Sequence, residues 1–176
     1  MGIDIVRFIF SRKFLGLAFI IFSVYEIEDA GGSHRFTWWN GFLFSLYCLS
    51  DGKRWSGLVA TTVTIVVSGV IIMSFLGTDL LEEALDDSGP ALYFFGTFVM
   101  HYLPPAVVFG TLDTVAPGAL TGSAIFALYA ASNDASEVYG ADLPRGLTVT
   151  GAAFVGLVFE TVRVYQQKTN LILLHP

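Results

Sequence analysis

The sequence predicts an all-α fold, a polytopic membrane helix bundle of about six transmembrane helices. Three observations predict it. The chain is 54% hydrophobic and only 14% charged, with a mean hydropathy of +0.66, whereas about a quarter of the residues in a soluble domain are charged. The charges are clustered, which leaves six apolar stretches near residues 5–25, 36–50, 57–77, 90–110, 117–132 and 146–165. Most of these approach the ~20 residues that a helix needs to cross the hydrocarbon. Finally, the connecting segments alternate in charge, as the loops of a multi-pass protein do.

The first stretch follows Arg7, Arg12 and Lys13 and includes "FLGLAFIIFSVY". Acids in "EIEDAGG" stand where a signal peptidase would need small residues, so the stretch reads as an uncleaved span. The second and fifth stretches are short, so their ends are the least defined. The first, third and fifth loops carry the acids: Glu26, Glu28 and Asp29, then "TDLLEEALDD", then Asp134, Glu137 and Asp142. Seven of the nine Lys and Arg residues (Arg7, Arg12, Lys13, Lys53, Arg54, Arg163 and Lys168) fall on the other side. Six crossings with both termini on the positive, cytoplasmic-equivalent side satisfy this pattern, and removing one span would scramble it. Tyr25, Trp38, Trp39, Tyr93 and Tyr139 fall near the outer interface, and Trp55 and Tyr165 near the inner one. Gly118 and Gly122, four residues apart, suit close helix packing. Residues 1–176 read as a single transmembrane domain, with no internal repeat and no separate soluble part.

Several function classes drop out. A single cysteine, Cys48, allows no internal disulfide and no cysteine metal cluster. A net charge of −6 without a basic run argues against nucleic-acid binding. No motif calls for a cofactor or metal.

Ionisable groups at membrane depth are costly, so each is a candidate for function. Glu160 lies three residues before Arg163 and can pair with it. Asp113, in "GTLDTVAPG", reads either as a functional acid at the inner turn or as the cap of the fifth helix. His101 is harder to dismiss. It lies in "TFVMHYLPPAVVFG", where Pro104 and Pro105 cannot donate to the carbonyls of Met100 and His101. The free carbonyls and a kink at or just before Pro104 make a polar notch, with Thr97, one turn back, in reach of the imidazole. In "SHRFTWWNGFLFSLY", Thr37 and Asn40 are three apart and share a helix face. Thr37 can instead cap that helix, with Asn40 bonded to a neighbour.

Two segments resemble one family. "GGSHRFTWWNGFLFSLYCLSD", with its glycine-rich approach to an aromatic Thr-x-x-Asn start, resembles the second-span region of the androgen-induced and androgen-dependent membrane proteins. "FVMHYLPPAVVFGTLD" resembles their histidine-containing fourth span and the His-Tyr-x-x-Pro segment of related bacterial six-span proteins. Two short blocks and the span count carry the resemblance. The second proline of "HYLPP" and the late position of Asp113 depart from it. The resemblance implies an intramembrane threonine hydrolase of fatty acyl esters, with Thr37 as nucleophile and His101 as base. Asn40 is a candidate oxyanion donor. The implied partners are membrane lipids and a lipid-like substrate. Two other classes fit the composition: a non-enzymatic accessory subunit with membrane protein partners, and a small transporter or channel using His101 and Asp113. Depth separates the two catalytic candidates. Thr37 opens its span, whereas His101 lies eleven residues into the fourth, about 16 Å deep at 1.5 Å per residue.

Single cysteines placed at Lys53 and Asp86 in a Cys48-free background should react with an impermeant thiol reagent from opposite faces of sealed membranes. Labelling of both from one face would overturn the topology.

Overall fold

The structure, a computed structural model, describes residues 11–29, 35–50, 53–76, 89–133 and 144–174. The connecting segments 77–88 and 134–143, with the acids of the third and fifth loops and Tyr139, lie outside the described residues, as does the start of the first stretch. The described residues form helices and no strands: α1 (Arg12–Asp29), α2 (Phe36–Leu49), a 3₁₀ turn (Lys53–Trp55), α3 (Ser56–Leu76), α4 (Pro90–Thr97), a π-helical turn (Phe98–Tyr102), α5 (Leu103–Thr111), α6 (Ala119–Ser132) and α7 (Arg145–Leu174). The π turn joins α4 and α5 into one rod, so six rods stand where six apolar stretches were read. Two rods run past their expected ends. Helix α1 continues through Asp29, and α7 continues nine residues beyond the apolar stretch to Leu174. Its added segment begins polar, as Gln166 to Asn170, and ends on Leu and Ile, and Arg163 donates to Gln167 one turn on at 3.0 Å. Among the described residues, one helical segment, Arg145–Asn170, is both long and apolar enough by itself to cross a membrane, while Ser56–Ile72 and Ala119–Ser132 are apolar but shorter.

Helix α3 is the central rod, packed against α2, α5, α6 and α7. Val59, Ala60, Thr61, Thr62 and Val63 are at most 1% exposed, so this stretch of the helix is enclosed on all sides, while Ile71 and Ile72 nearer its end are exposed. Its threonine hydroxyls can be accommodated because three find a carbonyl of their own helix: Thr61 bonds to Gly57 at 2.9 Å, Thr62 to Val59 at 3.1 Å and Thr64 to Ala60 at 2.7 Å. Gly122 brings α6 against this rod, since a Cβ there would stand 2.8 Å from the Leu58 carbonyl oxygen and 3.1 Å from Thr61 Cβ. Gly118, at φ 116°, is the N-cap of α6 in a left-handed conformation that favours glycine. The expected close-packing role of these glycines is therefore met against α3. Asp113 is not the cap. It is exposed in the α5–α6 connector, five residues before Gly118.

That connector is tied down from two sides. The Ser56 hydroxyl donates to the Thr114 carbonyl at 3.1 Å and accepts from the Ala116 amide at 2.9 Å, and the Val115 amide donates to Gln166 Oε1 at 3.0 Å. Arg12 closes the same end of α2, donating to the Tyr47 carbonyl at 2.7 Å with its guanidinium 4.7 Å from the Tyr47 ring centre. A cation there meets the negative end of the helix dipole. Glu160 pairs with Arg163 as the spacing predicts.

The aromatic reading needs one correction. Tyr25, Trp39, Trp55 and Tyr165 are exposed, but Trp38 is buried, packed edge-on against Phe22 of α1 with ring centres 5.6 Å apart. Consecutive helix positions point about 100° apart, and α2 turns its Trp38 side onto α1 while Trp39 stays exposed. Tyr93 lies in α4, and its side chain is outside the described residues.

Two glycine substitutions should separate packing from propensity. Gly122→Ala should destabilise the purified protein by about 1–3 kcal/mol, because a backbone carbonyl blocks the added methyl. Gly69→Ala, within α3 with no neighbouring atom within 4 Å of the new Cβ, should stabilise it by about 0.5–1 kcal/mol. Thermal unfolding of the two variants beside the parent checks both signs.

Candidate functional site

Helices α2 and α4–α5 run parallel and are tied at two levels. Near the start of α2, Thr37 Oγ1 is 3.3 Å from His101 Nε2. Near its end, the Tyr47 hydroxyl is 2.9 Å from Thr111 Oγ1. Both pairs are 64 residues apart in sequence, so ten residues separate them along each helix. The depth mismatch is resolved by overhang. Helix α4 rises beyond the start of α2, and its Phe94 and Phe95, with Phe98 of the π turn, are 56% to 66% exposed. Below them the fourth rod reaches the level at which α2 begins. Phe36 anchors that beginning against Phe126 and Tyr129 of α6, with ring centres 4.8 Å and 5.1 Å away.

His101 is set by the π turn that contains it. The expected kink before Pro104 takes the form of this widened turn, in which the Leu103 amide donates to the Phe98 carbonyl, five residues back. Neither Pro104 nor Pro105 has an N–H to continue the ladder, and both are buried. The imidazole uses the irregular backbone: Nδ1 is 3.1 Å from the Thr97 carbonyl oxygen. The partner at Thr97 is thus the carbonyl rather than the hydroxyl. A carbonyl can only accept, so Nδ1 of the neutral ring carries the proton and Nε2 carries the lone pair. The Thr37 hydroxyl then donates to Nε2. A backbone carbonyl fills the place of an orienting acid, for which the sequence has no candidate.

Thr37 does not cap its helix. Arg35 is the N-cap residue, with no side-chain cap bond. Asn40, one turn deeper than Thr37, is 1% exposed, and its Oδ1 has no hydrogen-bond partner among the described residues. The same holds for two buried atoms at the α1–α2 seam, Ser23 Oγ and Trp38 Nε1. Ser23 is fully buried and faces Gly41, where an added Cβ would stand 2.9 Å from its hydroxyl oxygen and 3.9 Å from Met100 Cε. Sequence reading missed Ser23. Its only signal is a hydroxyl inside the apolar run "FIIFSVY", and buried serines usually bond to their own helix.

The structure therefore joins Thr37 and His101, with Asn40 one turn below. It leaves the other two candidates apart: Asp113 is exposed on the α5–α6 connector, and Glu160 is engaged with Arg163 on α7. Among the residues described, no group of three or more His, Cys, Asp or Glu side chains is placed to hold a metal ion. Chemically, the site is a hydroxyl with a base against it and a buried amide within a turn, and the ring nitrogens of His101 meet Thr37 and the Thr97 carbonyl rather than a carboxylate. No protein-family profile, curated protein or solved structure matches this chain.

Proposed function

We propose that this chain is a multi-pass intramembrane hydrolase of fatty acyl esters, with Thr37 as nucleophile and His101 as general base. The observation that carries the reading is the 3.3 Å approach of Thr37 Oγ1 to the unprotonated nitrogen of His101. A threonine hydroxyl is a weak nucleophile until a base takes its proton, and contacts of this kind are often long before substrate tightens them. In the first half-reaction Oγ attacks the acyl carbon while Nε2 takes its proton. The proton then passes to the departing alkoxide, which leaves an acyl ester on Thr37. The Asn40 amide, one turn deeper, is the donor proposed for the oxyanion.

A membrane setting is supported by the outer face of the bundle. Leu128, Leu147, Phe154 and Tyr165 are 62% to 71% exposed, and apolar side chains of α1 and α2 are exposed as well. Such surface suits acyl chains as solvent and substrate. In this reading six rods span the bilayer, both termini lie on the positive-inside side, and membrane lipids are the partners.

Thr37→Ala and His101→Ala should each abolish turnover of a fatty acyl ester while leaving abundance and melting temperature near those of the parent, because nucleophile and base act as a unit. Thr37→Ser should keep measurable activity. Asn40→Ala should lower turnover by roughly a hundredfold. A fluorophosphonate probe decides directly: it should label Thr37 in the parent and not in His101→Ala. Absence of labelling in both detergent and lipid would replace the hydrolase with the accessory subunit, for which Thr37→Ala changes nothing and His101→Ala loosens the bundle.

A further inference from the structure

An acyl ester on Thr37 must be cleaved by water, and an apolar bundle has to hold that water in place. The polar atoms around the pair are distributed unevenly. In the central rod α3, the hydroxyls of Thr61, Thr62 and Thr64 all bond to carbonyls of their own helix. At the level just below Thr37, in contrast, Ser23 Oγ and Asn40 Oδ1 are both buried without a partner among the described residues. Burying such groups unsatisfied costs on the order of 1–3 kcal/mol each.

Their placement relative to Thr37 follows from helix geometry. Successive residues of α2 turn by about 100°, so Asn40 lies about 60° to one side of the Thr37 direction and Gly41 about 40° to the other. Ser23 comes in from α1 over Gly41, close enough that a Cβ there would stand 2.9 Å from its oxygen. The two orphaned atoms therefore flank the line of Thr37, one turn deeper, on the side that meets Met100, the residue before His101. One can donate and accept, and the other accepts. Together they suit a water molecule, which needs two or more polar partners to stay in a buried site.

We propose that Ser23 Oγ and Asn40 Oδ1 hold the water that hydrolyses the acyl–Thr37 ester, an inference that rests on the hydrolase reading above. The water oxygen bonds to the acyl carbon as His101 Nε2 takes one of its protons. The acyl–Oγ bond then breaks, and the proton returns from Nε2 to Oγ. A carboxylic acid leaves, and the threonine hydroxyl is restored. Ser23 is assigned to the second half-reaction only, since it has no part in the attack of Thr37 on the substrate.

The test is Ser23→Ala in the purified full chain, with a p-nitrophenyl fatty ester as probe. Release of p-nitrophenol should keep its burst rate within about twofold of the parent. The steady-state rate should fall roughly fivefold or more, the worth of one hydrogen bond. Mass spectrometry should find the acyl group accumulating on the peptide that contains Thr37. Equal losses in burst and steady state would assign Ser23 to packing alone and overturn the inference, as would parent-like values for both. If the parent shows neither burst nor probe labelling, the hydrolase reading fails separately. The water site then stands or falls on a high-resolution structure of the parent. An ordered water within hydrogen-bond reach of both atoms would keep the site, and a dry seam there would remove it.

Discussion

The contact on which the rest of the arrangement depends is the registry between α2 and the α4–α5 rod. Two side-chain hydrogen bonds, Thr37 to His101 and Tyr47 to Thr111, fix it at both ends. At 1.5 Å per residue, ten residues make about 15 Å of parallel contact. A slip of one turn would move the Thr37 hydroxyl about 5.4 Å from the imidazole, beyond any hydrogen bond. The Tyr47–Thr111 bond contributes no reacting group, but with Arg12 over Tyr47 it keeps α2 from sliding along its neighbours. Aromatic packing of Phe36 on Phe126 and Tyr129 holds the start of α2.

The π turn is the local device that makes this registry chemically useful. Pro104 and Pro105 remove two donors from the helical ladder, and the turn before them is widened. Within that turn the Thr97 carbonyl oxygen is 3.1 Å from His101 Nδ1. The ring is thereby presented with its lone pair toward α2. Irregular helical turns of this kind recur at functional sites, and here the irregularity answers why two prolines and a histidine share one apolar run.

Buried polar groups divide the bundle into two regimes. In α3 the hydroxyls of Thr61, Thr62 and Thr64 are closed on their own backbone, so that part of the rod can be surrounded by apolar side chains at little cost. Around Thr37 the accounting is left open at Asn40, Ser23 and Trp38. A fourth, Arg12 Nε, lies at the other end of α2. Such groups are stable only with a partner, and the three near the hydroxyl–imidazole pair are consistent with the water-using chemistry proposed for it.

Much of this was readable along the chain. Apolar stretches near 36–50, 57–77, 90–110 and 117–132 correspond to rods within about two residues at each end, because apolar periodicity and loop composition are local properties. Thr37, Asn40 and His101 could be singled out because a polar side chain in an apolar run is conspicuous in one dimension. The ends of α1 and α7 could not, since helix continues past the point where apolarity stops. Nor could the cap of α6, which rests on a glycine conformation rather than on Asp113. The burial of Trp38 beside the exposed Trp39 depends on which face of α2 meets α1. The meeting of Thr37 with His101, 64 residues away, was beyond local reading for the same reason. It depends on how far α4 overhangs α2, and that offset arises from packing between rods that no single segment encodes.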